Sequence, residues 1–449
     1  MANITFRRKI YEQMLKWKNE RNGKTALLIK GARRVGKSTI AEEFARNEYK
    51  SYILIDFSNV PKRVTELLED ISDLNFFFLQ LQLIFNVNLY NRESVIVFDE
   101  IQLQPLARQA IKHLVKDGRY DYIETGSLLS IKKNVKNIVI PSEETRITLN
   151  PMDFEEFLWA MNDNVTIPLL KSAYEAKKPL GDAVNRKLLR DFRLYMLVGG
   201  MPQSVAEYIS TNNLAMVDIV KREILDLYDE DFRKIDPTGR ASKLFMSIPS
   251  ELNKNASRYQ VSSVLENSRN DTVAEVIVDM EDSMTINLAY HANDPNVGFA
   301  LHKDSNRFKM FLADTGLFIT LAFKDKSFTE NVIYQKLLSN KLAADLGYVY
   351  ENIVAQMLRS IGDELYYYTF PTESKRHNYE IDFLISRMNK ICPIEVKSSG
   401  YKTHVSLDEF CNKFSDRISD KYLVYTKDFR KEKDITYLPI YLIPFLKEN

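Results

Sequence analysis

The run Gly31-Ala-Arg-Arg-Val-Gly36-Lys37-Ser38 restricts the fold of this chain more than any other feature. It lies between a short apolar run, Thr25-Ala-Leu-Leu-Ile-Lys, and a helical stretch, Thr39–Arg46. Glycines at this spacing let the backbone curl until successive N–H groups point at phosphate oxygens. The helix that follows turns its positive end toward the same anion. Gly31, Ala32, Arg33, Arg34, Val35, Gly36, Lys37, Ser38 and Thr39 are therefore expected to cradle ATP. Lys37 is expected to reach the β- and γ-phosphates and serve catalysis, and Ser38 to ligate Mg²⁺. At average glycine content the pattern arises by chance in roughly one or two chains per hundred of this length. This chain has only 14 glycines, which lowers that chance.

From Thr25 to about Ile140 short apolar runs alternate with helical stretches. Tyr52-Ile-Leu-Ile-Asp, Ser94-Val-Ile-Val-Phe-Asp and Tyr120-Asp-Tyr-Ile-Glu-Thr are apolar on both faces. Such strands suit a parallel sheet buried between helices, an α/β doubly wound core. Val95-Ile-Val-Phe-Asp99-Glu100 ends one of them with two acids. Asp99 is expected to hold Mg²⁺, and Glu100 to polarise the attacking water. Thr125, before Gly126 and Ser127, ends the next strand, where it is either a γ-phosphate sensor or part of a simple turn. Arg108, Arg119 and Arg146 are all compatible with an arginine finger, and the sequence does not choose among them.

The 449 residues exceed one core, so roughly two to four domains are expected. With 62 basic and 61 acidic residues the net charge is +1, so a nucleic-acid partner needs a local basic patch. Cys392, Cys411 and five scattered histidines have neither disulfide nor zinc spacing, and fit a reduced, cytoplasmic protein. The N-terminus lacks a signal-peptide pattern. The greasiest stretch, Leu74 to Tyr90, is broken by Gln80, Gln82 and Asn86, so no membrane partner is expected.

Residues 5–20 read as an amphipathic helix through Ile10, Met14 and Trp17. After Pro151 the pattern turns helical, through Asp153–Ala160 and Asp182–Leu197, to the break Gly199-Gly-Met-Pro. Three short helical patterns in 242–283, then apolar runs near Thr285–Tyr290 and Arg307–Leu312, suggest a winged helix-turn-helix. Lys254, Arg258 and Arg269 there suit either phosphate contacts or a protein partner. A helix near Tyr350–Ile361 opens a last α/β unit with strands near Leu365–Phe370, Glu380–Ile385, Cys392–Lys397 and Tyr422–Tyr425.

Two of those strands carry Glu380-Ile-Asp382 and Ile394-Glu395-Val-Lys397. Glu395 and Lys397, two apart, project from one face of a strand, and Asp382 meets Glu395 if the strands pair. Two carboxylates gather Mg²⁺, and a lysine can orient water and offset charge at a scissile phosphate. Glu351 in the preceding helix is a further metal candidate. The alternative is a surface hairpin with ordinary salt bridges, but the flanking Ile381, Phe383, Ile394 and Val396 argue against it.

Taken together, the phosphate loop, Phe98-Asp-Glu-Ile-Gln, Thr125-Gly-Ser, Asn150-Pro-Met-Asp-Phe-Glu-Glu-Phe-Leu, Gly199-Gly-Met-Pro, Phe311-Leu-Ala-Asp-Thr-Gly-Leu, Tyr350-Glu-Asn-Ile-Val, Glu380-Ile-Asp-Phe and Ile394-Glu-Val-Lys resemble one family. It is the bacterial and archaeal AAA+ ATPases with a C-terminal domain of unknown function, AAA_14 plus DUF4143. The resemblance covers nearly the whole chain. It implies an AAA+ P-loop core at 1–150, a helical lid at 151–235, a winged-helix-like segment at 236–330 and a restriction-endonuclease-like α/β domain at 331–449. On that likeness Glu351, Asp382, Glu395 and Lys397 match the helix acid, the metal aspartate and the E-x-K pair of PD-(D/E)xK nucleases. The departure from that pattern is the missing Pro-Asp dipeptide, since Ile381 precedes Asp382. The expected function is an ATPase whose ATP cycle controls a nucleic-acid-binding or metal-dependent nuclease-like domain, with DNA as partner and RNA left open. The rival is a nucleotide-dependent interaction switch with a catalytically silent nuclease-like fold. Either a monomer or an AAA+ ring is compatible with the sequence.

Overall fold

The computed structural model describes residues 4–126, 142–254, 256–265, 270–324, 338–339, 347–374 and 376–447. Ser127 and Arg269, singled out above, lie outside them. The chain divides into two compact units, Met1–Asn150 with Asp282–Met284, and Pro151–Glu281 with Thr285–Asn449.

The first unit contains helix α1 (Ile10–Arg21), strand β1 (Ala26–Lys30), α2 (Lys37–Glu48), β2 (Ser51–Asp56), α3 (Lys62–Leu67) and α4 (Leu74–Phe85). Then come β3 (Ser94–Asp99), α5 (Pro105–Asp117), β4 (Asp121–Gly126) and β5 (Glu144–Thr148). The five strands form a parallel sheet in the order β2-β3-β4-β1-β5. Every residue of β3 and β4 is buried, because helices cover both faces. Leu28, Ile53, Ile55, Ile96 and Phe98 share one core with Phe77, Phe78, Ile111 and Leu114 of α4 and α5. The alternate residues Leu27, Ile29, Val95, Val97 and Ile123 face the other way, onto Met14, Trp17, Ile40 and Phe44 of α1 and α2. The period-two division of each strand thus builds two cores from one sheet.

The second unit begins with α6 (Phe154–Ala160), which Asp153 and Glu156 open as a reciprocal capping box. It continues through α7 (Thr166–Glu175), α8 (Asp182–Val198), α9 (Pro202–Thr211) and α10 (Leu214–Ile235). The break at Gly199-Gly200 is a packing feature: Gly200 N–H donates to Asp314 at 2.6 Å, and Gly316 abuts Gly199. The buried Lys221 ammonium donates to the carbonyls of Leu197 and Gly316, at 2.7 and 3.2 Å.

Short helices α11 (Arg240–Met246), α12 (Ile248–Asn253) and α13 (Val261–Val264) and the longer α14 (Asn270–Asp282) lead to an antiparallel pair, β6 (Ile286–Ala292) and β7 (Lys303–Leu312). Tyr259 N–H adds to its edge by donating to Phe308 O at 2.7 Å. The pair does not stand alone, because β6 also runs parallel to β8 (Leu365–Pro371). Segments 236–330 and 331–449 therefore share one sheet. After α15 (Thr315–Ala322) and α16 (Gly347–Ser360), the chain supplies β8, β9 (Asn378–Arg387), β10 (Lys390–Val396), α17 (Val405–Lys413), β11 (Lys421–Tyr425), β12 (Arg430–Glu432) and β13 (Ile435–Pro439). The eight strands lie in the order β12-β13-β11-β10-β9-β8-β6-β7, with mixed sense. Tyr366, Tyr368, Phe370 and Ile381 pack with Leu407 and Phe410 of α17. No helix of the described residues is long and apolar enough to cross a membrane.

Candidate functional site

In the first unit the strand order decides what meets at the phosphate loop. β4 lies between β1, which feeds the loop, and β3, which ends at Asp99. In open α/β sheets ligands bind at such carboxyl ends of parallel strands. Gly36, at φ 97°, turns the loop into α2, a conformation that L side chains rarely adopt. Gly31 is needed for a different reason: a Cβ there would lie 2.4 Å from the Leu149 carbonyl oxygen. Arg8 pins the loop from outside, donating to Val35 O at 3.0 Å and to Asn150 O at 2.6 Å.

Lys37 is buried, and its ammonium donates to Gly31 O at 3.1 Å and Ala32 O at 2.9 Å. Burial pulls its pKa down, against the upward pull of Glu100 and Asp99. Ser38 Oγ donates to Asp99 Oδ1 at 2.8 Å, and Thr125 Oγ1 donates to that same oxygen. The expected Mg²⁺ pair, Ser38 and Asp99, is thus brought together with Thr125. A hydroxyl and a carboxylate beside a phosphate loop are donors suited to Mg²⁺. Glu100 N–H reaches Thr125 Oγ1 at 3.4 Å, and the Glu100 carboxylate accepts from Gln102 Nε2. Of the three arginines, Arg108 is 1 % exposed and ion-paired to Glu124 and Glu144 within its own unit. Arg119 is held on Asp117, and Arg146 on Glu144.

The second constellation lies where β9 and β10 pair in the eight-stranded sheet. β9 and β8 change register between Leu384 and Ile381, so Asp382 lies at an irregularity of its strand. Ile394 pairs with Phe383 across β10 and β9, which sets Glu395 beside Asp382. Asp382 Oδ2 accepts from Val396 N–H at 2.7 Å. Glu395 is 4 % exposed, and its Oε1 lies 2.8 Å from Lys397 Nζ. Its Oε2 is buried with no hydrogen-bond partner among the described residues. Glu351 of α16 joins them, held 3.4 Å from Lys309 Nζ.

Electrostatics treat these groups as one cluster. Burial first, then Glu395 and Glu351, push the Asp382 carboxyl well above the ordinary range. Burial also raises Glu351 and Glu395, despite Lys309 and Lys397 respectively. Sequence reasoning missed Lys309 and Glu380, which form an ion pair in this cluster. A lysine between Phe308 and Met310 in an apolar run was the available signal. Gln102 was missed as well, and nothing in its local pattern distinguishes it. Arg307, two residues from Lys309 on β7, donates to Thr369 Oγ1 at 2.8 Å.

Fold and phosphate site together define a P-loop nucleotide-binding protein. Residues 23–158 match the family model described as an AAA domain, and residues 346–443 match a domain of unknown function, DUF4143. Residues 189–327 match a further domain of unknown function, DUF8612. The chain carries an AAA domain followed by a C-terminal DUF4143 domain. Among solved structures it is similar to the Walker-type ATPase of Pyrococcus abyssi, at 14% identity and TM-score 0.41, covering 71% of this chain and 96% of that one. It is similar to a signal transduction ATPase with a tetratricopeptide repeat sensor from Pyrococcus horikoshii, at 12% identity and TM-score 0.28. That match covers 80% of this chain and 46% of the other, so the chain spans less than half of that protein. Cdc6p from Pyrobaculum aerophilum matches at 11% identity and TM-score 0.23, covering 76% and 97%. All three likenesses are remote. No curated protein matches the chain.

Proposed function

We propose that this protein hydrolyses ATP and that its nucleotide cycle controls a divalent-metal-dependent phosphodiesterase centre in the second unit, acting on nucleic acid. The observation that carries the reading is the buried, partnerless Glu395 Oε2 beside Asp382 and Lys397. A carboxylate oxygen removed from water without a partner costs several kcal/mol unless a proton or cation meets it. These donors therefore fit Mg²⁺ or Mn²⁺.

At the phosphate loop, backbone N–H groups from Gly31 to Thr39 would bind the phosphates. Lys37 would exchange its two carbonyl partners for phosphate oxygens, and Ser38 and Asp99 would hold Mg²⁺. When bound, Mg²⁺ neutralises charge on the phosphate oxygens. Glu100 would orient the attacking water once Gln102 lets its carboxylate go, and Thr125 would report the γ-phosphate to Asp99. In the second unit Lys397, held by Glu395, would position water or offset charge at the scissile phosphate. Arg258 and Arg307 supply basic groups near that centre, as both act on the Tyr367 hydroxyl electrostatically. They are suited to the backbone of DNA or RNA.

The test is cleavage of plasmid, single-stranded and branched DNA, and of RNA, with Mg²⁺ or Mn²⁺, with and without ATP. Cleavage that disappears in Lys397→Ala and changes in Lys37→Ala supports both the centre and its control. ATP hydrolysis without cleavage of any substrate sinks the nuclease reading and leaves a nucleotide-dependent interaction switch.

A further inference from the structure

Lys309 occupies an unusual place for a lysine. It sits in β7 between the buried Phe308 and Met310, and is itself 5 % exposed. Its ammonium is 3.4 Å from Glu351 Oε2 and ion-paired with Glu380. A buried ammonium is stable only when such partners meet it. The strand-side half of the cluster is built differently. There Lys397 takes Glu395 Oε1, Val396 N–H takes Asp382 Oδ2, and Glu395 Oε2 is left buried and bare. Each half thus carries an ammonium, but only the strand-side half leaves a buried carboxylate oxygen without a partner.

The donor set is small. Among the described residues no group of three or more His, Cys, Asp or Glu side chains is arranged to hold a metal ion, and Glu351 is turned to Lys309 instead. Four acids (Glu351, Glu380, Asp382, Glu395) face two ammoniums (Lys309, Lys397), and burial works against ionising Glu351, Asp382 and Glu395 unless a cation meets them.

We propose that Lys309 is a built-in cation filling the Glu351–Glu380 half of the centre, so that the centre takes a single divalent cation, on Asp382 and Glu395, instead of two. The inference rests on the reading of the second unit as a metal-dependent centre. It gives the β6–β7 pair a role in that centre, since β7 delivers the charge that a second metal would otherwise supply. A two-metal arrangement clamps both the attacking and the leaving oxygen. Here Lys309 would take over the charge of one of the two ions without offering coordination positions.

The test is calorimetric titration of the full chain with Mn²⁺ alone, nucleotide absent, using Asp382→Asn as the reference for binding elsewhere. The wild type is expected to bind one Mn²⁺ that Asp382→Asn loses. Lys309→Met is expected to bind a second Mn²⁺, or the first about tenfold more tightly, and Lys309→Arg to behave as wild type. Circular dichroism checks folding. If Lys309→Met does not fold, the double variant Lys309→Met/Glu380→Gln removes cation and acid together and frees Glu351, with the same gain expected. Two Asp382-dependent Mn²⁺ ions in the wild type overturn the proposal. Unchanged stoichiometry and affinity in the variants overturn the role of Lys309 while the metal centre stands. No Asp382-dependent Mn²⁺ in the wild type overturns both.

Discussion

At the phosphate loop the proposed binding surface is nine consecutive residues, Gly31 to Thr39, which would act largely through backbone N–H groups. The proposed carboxylate centre runs from Lys309 to Lys397, draws on β7, α16, β9, β10 and the residue just past β10, and would act through side-chain charge. The loop's geometry is local, and Lys37 waits on two backbone carbonyls. The centre is held in place by opposing charges, and removing one member leaves the others buried without compensation. The first site should therefore lose chemistry before it loses structure, and the second should lose structure before it loses chemistry.

The largest effect is expected at Glu100. If it orients the attacking water, Glu100→Gln lowers ATP hydrolysis by about 10²–10⁴-fold while nucleotide still binds, measured by phosphate release and by binding of a fluorescent ATP analogue. Full hydrolysis in that variant assigns the water to another group. Next comes Lys309→Met, expected to destabilise the second unit by about 3–5 kcal/mol because Glu351 and Glu380 lose their cation. Urea unfolding followed by near-ultraviolet signal reads this, and an unchanged midpoint refutes the contrast between the sites.

Lys37→Ala is the counterpart in the loop. Hydrolysis is expected to fall by about 10²–10³-fold, with the unfolding midpoint hardly moved, since the ammonium has only carbonyl partners to release. A large loss of stability there would make the loop resemble the centre.

The smallest effect concerns Glu124, fully buried on β4 beside Arg108. Burial, only partly offset by Arg108, raises its pKa from 4.5 to about 7. The folded form therefore holds a proton that the unfolded chain releases earlier. Its contribution to stability is complete below pH about 4.5 and fades as pH rises through about 7, by up to ~3 kcal/mol. Glu124→Gln should flatten this part of the stability profile of the first unit, and an unchanged profile would show that the ion pair keeps Glu124 ionised throughout.

Much of the fold was legible in order along the chain. The apolar runs at Thr25, Tyr52, Ser94 and Tyr120 became β1 to β4, and the runs near Leu365, Glu380, Cys392 and Tyr422 became β8 to β11. β5, β12 and β13 went unread, because Glu144–Thr148 and Arg430–Glu432 are largely polar and Ile435–Pro439 is short. Glu395 and Lys397 were legible as neighbours because they stand two apart, and Asp382 because its strand pairs with the one that carries Glu395. Gln102 was not, since its partner depends on the left-handed turn at Glu100, φ 54°.

Sequence alone determined the phosphate loop, the acids that end β3 and the E-x-K pair, because each depends on residues a few positions apart whose geometry the local backbone sets. The tertiary structure decided that Thr125 shares Asp99 with Ser38, through β4 lying between β1 and β3. It also buried Arg108 inside its own unit and brought Lys309 of β7 to Glu351 of α16 and to Glu380 of β9, although β6 and β8 lie between those two strands in the sheet order. Strand order and long-range pairing brought those groups together, and both arise from the packing of apolar faces, which bears no fixed relation to distance along the chain.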